Sequence, residues 1–232
     1  MLLSPAAPAH ADLQYRILGE DVYQGERSAT VSGVGYAGTQ HLSIRSDARS
    51  LRFEADARYT RTAGDENTSG KARFVQMLRP DGSFEDTVDD DPNFLTVLNQ
   101  PFAVRLDSVT LQDVRELHRP VPFAASSPLQ GHTLLRGFLR PAASGPIEGR
   151  ATVAVRFESE GPMDGALPGR ADATVSGRMR MDGTAYYAVD DGLLLALTVT
   201  LTIEARLHQR GAPASMPVRI VYRRRIRALG NV

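Results

Sequence analysis

The 232-residue chain contains no cysteine and no tryptophan. The absence of cysteine excludes disulfide bonds, thiolate metal sites, cysteine nucleophiles and lipid attachment at an N-terminal cysteine. Neither sign of charge is in excess, because 27 Lys and Arg side chains balance 27 Asp and Glu side chains. This balance removes the main electrostatic argument for a nucleic acid or an anionic membrane as the partner. No run of about 18 apolar residues is present, so no transmembrane segment is predicted.

The first eleven residues are rich in Ala and Pro and differ from the rest of the chain. Ala9 and Ala11 have the small-x-small spacing of a signal peptidase site and stand just before Asp12. No basic region and no full apolar region precede them. We therefore interpret residues 1–11 as the remnant of an export signal, which predicts a periplasmic or secreted protein. The alternative is a disordered tail on a cytoplasmic protein.

The clearest pattern in the chain is a long alternation of apolar and polar residues from Leu193 to His208. Side chains alternate across a β-strand with a period of two, so this segment has one apolar and one polar face. At about 3.3 Å per residue it would extend roughly 50 Å, much longer than an ordinary strand. A strand of this length predicts a large, curved, antiparallel sheet. The apolar positions are Leu193, Leu195, Leu197, Val199, Leu201, Ile203, Ala205 and Leu207.

A second alternation, over residues 173–189, is joined to the first by the short segment Asp190–Gly192. A three-residue loop that ends in Gly suits a type I turn followed by a left-handed residue, so the two segments are predicted to form a hairpin. Gly177 and Gly183 interrupt the apolar face and predict a bend or a close approach of another backbone. The predicted cross-strand neighbours are Val189 with Leu193, Tyr187 with Leu195, Met181 with Leu201, Met179 with Ile203, and Arg178 with Glu204.

The last strand is predicted over residues 218–228, paired with the strand from 193 to 208. Its outward arginines are Arg219, Arg223, Arg225 and Arg227. They indicate either a patch for phosphates or acidic partners, or a charged face that protects a sheet edge. The second interpretation is favoured because no second basic cluster and no interleaved aromatics accompany them. Arg224 differs, since its parity points it inward beside Tyr222. A buried arginine there needs an acidic partner.

Shorter alternations raise the count to roughly ten strands, so the fold class is all-β with a minor helical part. The sheet is predicted to be a meander, arranged as a half-barrel or as a sandwich. The pentapeptide Ala29–Gly33 recurs identically as Ala173–Gly177, which suggests two similar β lobes over residues 12–90 and 146–228. One continuous domain over residues 12–232 is the alternative.

The middle segment, residues 91–145, contains the only helix signals. A helix is predicted between Asp91 and Pro101, and another from Thr110, with Asp113 completing a capping box, to Pro120. Two loops with apolar tips, residues 120–123 and 161–169, would either close over the mouth of a cavity or fold back on the rim of the sheet.

No motif in the chain predicts a catalytic site, a metal site or a cofactor. Residues 33–38 spell G-x-G-x-x-G, but another strand follows where a dinucleotide fold needs a helix. The acidic run Asp89–Asp91 lacks the spaced ligands of a calcium loop. A triad of Ser126 or Ser127 with His132 and Asp113 can be written down, as it can for any chain of this length.

The leading hypothesis is an exported, non-enzymatic module that holds a lipid or another hydrophobic ligand on the concave apolar face of the sheet. This architecture is similar to that of envelope half-barrels that carry lipids, although no motif matches residue by residue. A structural or protein-interaction module of the cell envelope with a self-covered core is the second hypothesis, and a hydrolase is the third. The predicted ligand contacts are Met179, Met181, Tyr187, Leu197, Leu201, Ile203, Tyr222, Phe123, Met163 and Leu167.

Overall fold

A computed structural model describes residues 10–25, 32–46, 51–78, 84–89, 106, 108–117, 119–126, 134–167 and 170–229. This part of the chain contains eleven strands and one helix. The elements are β1 (His10–Gly25), β2 (Ser32–Ser46), β3 (Leu51–Ala63), β4 (Glu66–Leu78), β5 (Phe84–Asp89), α1 (Ser108–Leu117), β6 (Val121–Ser126), β7 (Leu134–Ala142), β8 (Thr152–Leu167), β9 (Arg170–Ala188), β10 (Leu194–Gln209) and β11 (Met216–Leu229).

All eleven strands belong to one antiparallel sheet in the order β5-β4-β3-β2-β1-β11-β10-β9-β8-β7-β6. The first five strands run outward from β1 to the β5 edge, and the last six return from the β6 edge to β11. β1 and β11 pair in the middle, from Gln14 opposite Leu229 to Gly25 opposite Val218. The expectation of an all-β meander with a minor helical part is therefore confirmed, as one open sheet and not the two sheets of a sandwich.

One face of the sheet is apolar and buried from β4 across the centre to β7, and we call it the inner face. In β10 the residues from Leu197 to Ala205 alternate between buried odd positions and more exposed even positions, as the strand period requires. Inner-face residues of β1–β4 and β7–β11 form one continuous hydrophobic core. Helix α1 lies against β6, β7 and β8 and adds Leu111 and Val114 to that core.

The hairpin of β9 and β10 follows the predicted register except near its turn. Met181 lies opposite Leu201, Met179 opposite Ile203 and Arg178 opposite Glu204, as expected. Next to the turn, however, Tyr187 pairs with Leu194, and the register shifts between Leu194 and Ala196. The prediction that Tyr187 faces Leu195 is therefore wrong, because a bulge inserts an extra residue on β10.

The predicted pairing of Val189 with Leu193 is also wrong. Its side chain is 40% exposed and does not face Leu193. The N–H of Ala188 donates to the carbonyl of Leu193, while the N–H of Val189 donates to Ala151 on the β8 side. The turn therefore begins one residue earlier than predicted. Gly192 has the expected left-handed backbone, with φ of 70°.

The glycines of β9 have the predicted role of allowing close approach. A side chain at Gly183 would collide with the backbone of Thr198 and with the ring of Phe157, and one at Gly177 would collide with the backbone of Glu204. The neighbouring strand β10 is thus packed tightly across both positions.

Both segments predicted as apolar loops are largely strands. β6 covers Val121 to Ser126, and β8 continues through Gly161 to Leu167. Each of these strands contains a proline, Pro122 in β6 and Pro162 in β8, at a position where one side of the strand has no neighbour. β6 is an edge strand, and β8 pairs with β7 only as far as Glu160. A backbone N–H is therefore not required on that side. Proline is tolerated at such edges. The middle segment accordingly contains two strands, β6 and β7, beside its helix.

The second predicted helix is present as α1, but it begins earlier than expected. Thr110 is the third residue of a helix that starts at Ser108, so Thr110 is not its cap. The first predicted helix, over residues 91–101, lies outside the described residues. The same applies to Asp90 and Asp91 of the acidic run.

The last strand is not at an edge of the sheet. β11 lies between β10 and β1, so the outward arginines of β11 do not protect an edge. The last residue of the repeated pentapeptide lies in inequivalent places: Gly33 is exposed on the outer face, whereas Gly177 faces inward against β10. Gly38 and Gly183, by contrast, both face inward and both contact a neighbouring backbone.

Candidate functional site

A buried ion pair lies on the apolar inner face at the centre of the sheet. Arg224 of β11 is 2% exposed and Asp21 of β1 is 1% exposed. The Nη1 atom of Arg224 donates to Oδ1 of Asp21 at 2.6 Å and to the carbonyl of Arg223 at 2.9 Å. The prediction that an inward Arg224 requires an acidic partner is confirmed.

The space for Arg224 comes from a glycine on the neighbouring strand. Gly19 lies directly opposite Arg224, and Tyr36 of β2 lies opposite Gly19. A Cβ atom at Gly19 would approach Cδ and Nη1 of Arg224 to 3.0 Å. The guanidinium instead extends across Gly19, and its central carbon lies 5.0 Å from the centre of the Tyr36 ring, within the range of a cation–π contact.

Tyrosines surround the ion pair on several sides. Tyr36 hydrogen-bonds to Asp21 through its hydroxyl and also interacts with Arg61. The ring of Tyr222 lies 5.9 Å from the guanidinium carbon of Arg224, and its hydroxyl is hydrogen-bonded to that of Tyr23. The Tyr23 and Tyr222 rings are nearly perpendicular, with centroids 6.3 Å apart. We call Asp21, Tyr23, Tyr36, Arg61, Tyr222 and Arg224 the polar cluster.

The polar cluster has an excess of positive charge. Arg61 of β3 lies opposite Tyr36, so Arg61, Tyr36, Gly19 and Arg224 form one row across four strands. Two guanidinium groups face a single carboxylate, that of Asp21, which leaves one formal positive charge. The Nε atom of Arg61 has no hydrogen-bond partner in the described part of the chain.

Burial changes the acidity of the groups in the polar cluster. Burial raises the pKa of Asp21 above its ordinary value, while the adjacent Arg224 acts in the opposite direction. The pKa values of Tyr23, Tyr36 and Tyr222 are also raised, chiefly by burial and further by the charge of Asp21. A phenol is neutral at pH 7 even without such a shift, so each of these hydroxyls can donate a hydrogen bond there, and the raised pKa values extend the neutral form to higher pH.

The predicted ligand contacts lie in the packed core of the sheet. Eight of them are no more than 3% exposed: Met163, Met179, Met181, Tyr187, Leu197, Leu201, Ile203 and Tyr222. Phe123 is partly buried and packs against this core. Leu167 ends β8, and its side chain lies outside the described residues. The sheet brings most of these residues into one core, and one of them, Tyr222, belongs to the polar cluster.

Two further polar side chains are buried on the inner face. Gln40 is 1% exposed and Ser159 is 3% exposed. Neither the amide of Gln40 nor the hydroxyl of Ser159 has a hydrogen-bond partner in the described part of the chain. Gln40 lies two residues from the buried Leu42 on β2, and Ser159 lies two residues from the buried Phe157 on β8. Because side chains two residues apart share a face of the sheet, the strand alternation places both polar side chains on the inner face.

No sequence pattern singled out Asp21, Tyr36 or Arg61 as partners of Arg224. Extending the alternation of Leu13, Tyr15 and Ile17 by four residues places Asp21 on the inner face. That signal was present in the sequence, although Gly19 interrupts the apolar series. Nothing in the sequence indicated that β1 would pair with β11.

No group of three or more metal-ligating side chains is found among the described residues. Asp113 lies on α1 and Ser126 ends β6, while Ser127 and His132 lie outside the described residues. In the part of the chain that the structure describes, no helix is long and apolar enough to cross a membrane.

The chain is thus an open, all-β protein with a polar cluster embedded in its apolar core. No model of a known protein family matches it, and a search of curated proteins finds no match either.

Proposed function

We propose that this protein is an exported, non-enzymatic binding module that holds a hydrophobic ligand with an acidic head group on the inner face of its sheet. The observation that carries this proposal is the polar cluster, with its one excess positive charge in an apolar surrounding. A buried ion pair adds little stability compared with apolar residues of the same size. The presence of this ion pair in the core, together with Arg61, therefore favours a role in recognition.

The acyl chain of such a ligand would lie along the apolar inner face, next to Tyr222 and Leu201. Its carboxylate or phosphate would lie near Arg61, whose Nε atom is available to a further acceptor. Because the residues around this path are packed, a ligand enters only by displacing core side chains. Methionines such as Met179 and Met181 are flexible enough to repack around a chain of variable shape.

The test compares two ligands that differ only in the head group. We expect a fluorescent fatty acid to bind saturably and the matching fatty alcohol to bind about tenfold more weakly, a difference of about 1.4 kcal/mol. Arg61→Gln should reduce fatty-acid binding to the level of the alcohol. Arg52→Gln is the control, because Arg52 lies on the same strand but pairs with Glu54 on the exposed side.

A second candidate function is favoured by the burial of the predicted ligand contacts. With eight of them at 3% exposure or less, the inner face supports a self-covered structural or protein-interaction module equally directly. Absence of saturable binding by either probe, and absence of any lipid in organic extracts of the protein from its native host, would favour this alternative.

Export is tested separately from binding. β1 includes His10 and Ala11, so cleavage before Asp12 would shorten this strand by two residues and leave its pairing from Asp12 onward. We expect N-terminal sequencing of the protein from its native host to begin near Asp12. Retention of Met1 in a cytosolic fraction would exclude export.

A further inference from the structure

A second candidate site lies on the opposite, outer face of the sheet. A groove of about 1550 Å³ runs over β2, β3 and β4 and is lined by exposed polar side chains. We call it the outer groove. The side chains that matter for its chemistry are Thr39, Arg58, Thr60, Ser69, Lys71 and Arg73.

A row of outer-face side chains runs from Arg16, beside the outer groove, across the groove to Lys71. Arg16 lies opposite Thr39, Thr39 opposite Arg58, and Arg58 opposite Lys71. Neighbouring strands lie about 4.8 Å apart, so Arg58 and Lys71 are direct neighbours on the same face. Like charges placed directly opposite one another destabilise a sheet. Lys71 is moreover the only lysine of the chain.

Ion pairing is common on the outer face, although Arg45, Arg156 and Arg225 take part in no ion pair among the described residues. Many arginines on that face lie within 4.0 Å of a carboxylate: Arg52, Arg73, Arg140, Arg178, Arg219, Arg223 and Arg227. Among the described residues, Arg16, Arg58 and Lys71 take part in no ion pair. The groove lining has three cations, Arg58, Lys71 and Arg73, against the single carboxylate of Asp56, which lies 3.8 Å from Arg73.

Hydroxyl groups flank the cation pair. Thr60 lies opposite Ser69, one step along the same face from Arg58 and Lys71, and Thr39 is the neighbour of Arg58 on β2. The groove therefore combines two adjacent positive charges with three hydroxyl donors. A phosphoryl group needs these donors, because it has up to two negative charges and three acceptor oxygens. A carboxylate has one charge and two oxygens, and would leave one cation uncompensated.

We propose that the outer groove binds a phosphoryl group. The guanidinium of Arg58 donates to two phosphoryl oxygens and the ammonium of Lys71 neutralises the second charge, while Thr60, Ser69 and Thr39 donate to the remaining acceptors. This site is independent of the inner face, since the two faces are separated by the sheet itself. The phosphoryl group comes from a soluble phosphate ester or from a lipid head group, which share this chemistry.

Binding is measured with the full-length protein in two arms. In the first, glycerol 3-phosphate is titrated by calorimetry, with succinate as a dianion that lacks a phosphoryl group. In the second, the protein is sedimented with phosphatidylcholine vesicles with and without phosphatidic acid. The test variant is Arg58→Gln/Lys71→Gln. The control, Arg178→Gln/Arg219→Gln, removes the same charge from two outer-face arginines that both neighbour Glu204.

We expect the test variant to lose at least tenfold in affinity in whichever arm binds, and the control to stay within twofold of the unaltered protein. Binding in the first arm identifies a soluble phosphate ester as the source, and binding in the second arm alone identifies a lipid head group. Equal losses in both variants, equal affinity for succinate, or no binding in either arm would overturn the proposal. Thermal unfolding of both variants near the original temperature verifies that the sheet is intact.

Discussion

Arg224 is the residue whose burial needs the most explanation. Moving a guanidinium out of water costs several kcal/mol of desolvation free energy. The attraction to a buried carboxylate offsets this cost only if the two groups are well aligned and further hydrogen bonds are formed. Asp21 at 2.6 Å, the carbonyl of Arg223 and the ring of Tyr36 provide these contacts. The pair is therefore tolerated in the core, whereas either partner alone is not.

The first prediction concerns this mutual dependence. Arg224→Met should lower the free energy of unfolding by about 3–5 kcal/mol, because it removes the cation that is hydrogen-bonded to the buried Asp21 carboxylate. The double variant Asp21→Val/Arg224→Met should recover most of this loss. Urea unfolding of the two single variants and the double variant measures the coupling. Additive losses would show that the two side chains act independently.

The second prediction concerns the tyrosines. Burial raises the pKa values of Tyr15, Tyr23, Tyr36, Tyr187 and Tyr222. In the unfolded chain these phenols lose their protons near pH 10, before the folded ones do. The unfolded state thus binds fewer protons, and stability falls as the pH rises above about 10, by at most about 1.4 kcal/mol per pH unit for each tyrosine.

Phenolate absorbance provides the measurement for this second prediction. In the folded protein these five tyrosines should be less ionised than in the unfolded chain at the same alkaline pH, and they should ionise together when the protein unfolds at higher pH. The chain in guanidinium chloride should titrate all seven of its tyrosines near pH 10. Smooth titration of the five in the folded protein at their ordinary pKa would show that they are accessible to water.

The odd or even position of a residue along its strand predicted which face of the sheet its side chain occupies. Arg224 was placed inside because Tyr222 and Ile226 flank it at the same parity. Its partner was not identified, because Asp21 is 203 residues away in sequence. A period-two pattern states which face a side chain occupies, but it contains no information on which strand lies next to it.

At the scale of elements, the β9–β10 hairpin depends on its turn. Asp191 accepts a hydrogen bond from the N–H of Leu193 at 3.0 Å and pairs with Arg150 at 2.8 Å. Gly192 follows with φ of 70°, a conformation that L-residues adopt only at a cost. The turn therefore depends on the positive φ of Gly192 and on the ion pair between Asp191 and Arg150.

The third prediction follows from that backbone conformation. Gly192→Ala should lower the free energy of unfolding by about 1–2 kcal/mol, because alanine is strained at positive φ. The control is Gly145→Ala, where an added Cβ meets no atom within 4 Å and φ is not positive. That control should be neutral or stabilising by up to about 1 kcal/mol. Equal effects of both substitutions in urea unfolding would contradict this account.

Element prediction succeeded where alternation was long and failed where proline interrupted it. The strands from Arg170 to Ala188 and from Leu194 to Gln209 were expected within a few residues. By contrast, Pro122 and Pro162 made two strand segments resemble loops. Proline is excluded only where a ladder hydrogen bond is required, and whether a strand has a neighbour at that position is a property of the whole sheet.

At the scale of the whole molecule, the pairing of β1 with β11 unites the two halves. β1 pairs with β11 on one side and with β2 on the other, and the inner faces of both halves belong to one core. Two similar lobes separated by a different middle segment were one expectation from the sequence. A shared sheet and a shared core favour the alternative of one continuous unit.

The fourth prediction is that thermal unfolding is a single cooperative transition. Neither half can lose its strands without exposing the core of the other, so we expect the ratio of calorimetric to van't Hoff enthalpy to be close to one. Two resolved transitions, or a ratio well above one, would instead indicate two lobes that unfold separately. Scanning calorimetry at several scan rates distinguishes these outcomes and reveals any irreversible step.

The sequence by itself determined the class of fold, the faces of the long strands, most of the core residues and the inward position of Arg224. These features depend on local geometry. The alternation of side chains along a strand and the backbone conformations open to glycine and proline are determined by residues a few positions apart. Tertiary structure alone decided the central β1–β11 pairing, the partner of Arg224 and the row of cations in the outer groove. Each of these depends on which strands become neighbours, and that choice is made by packing among segments far apart in the chain.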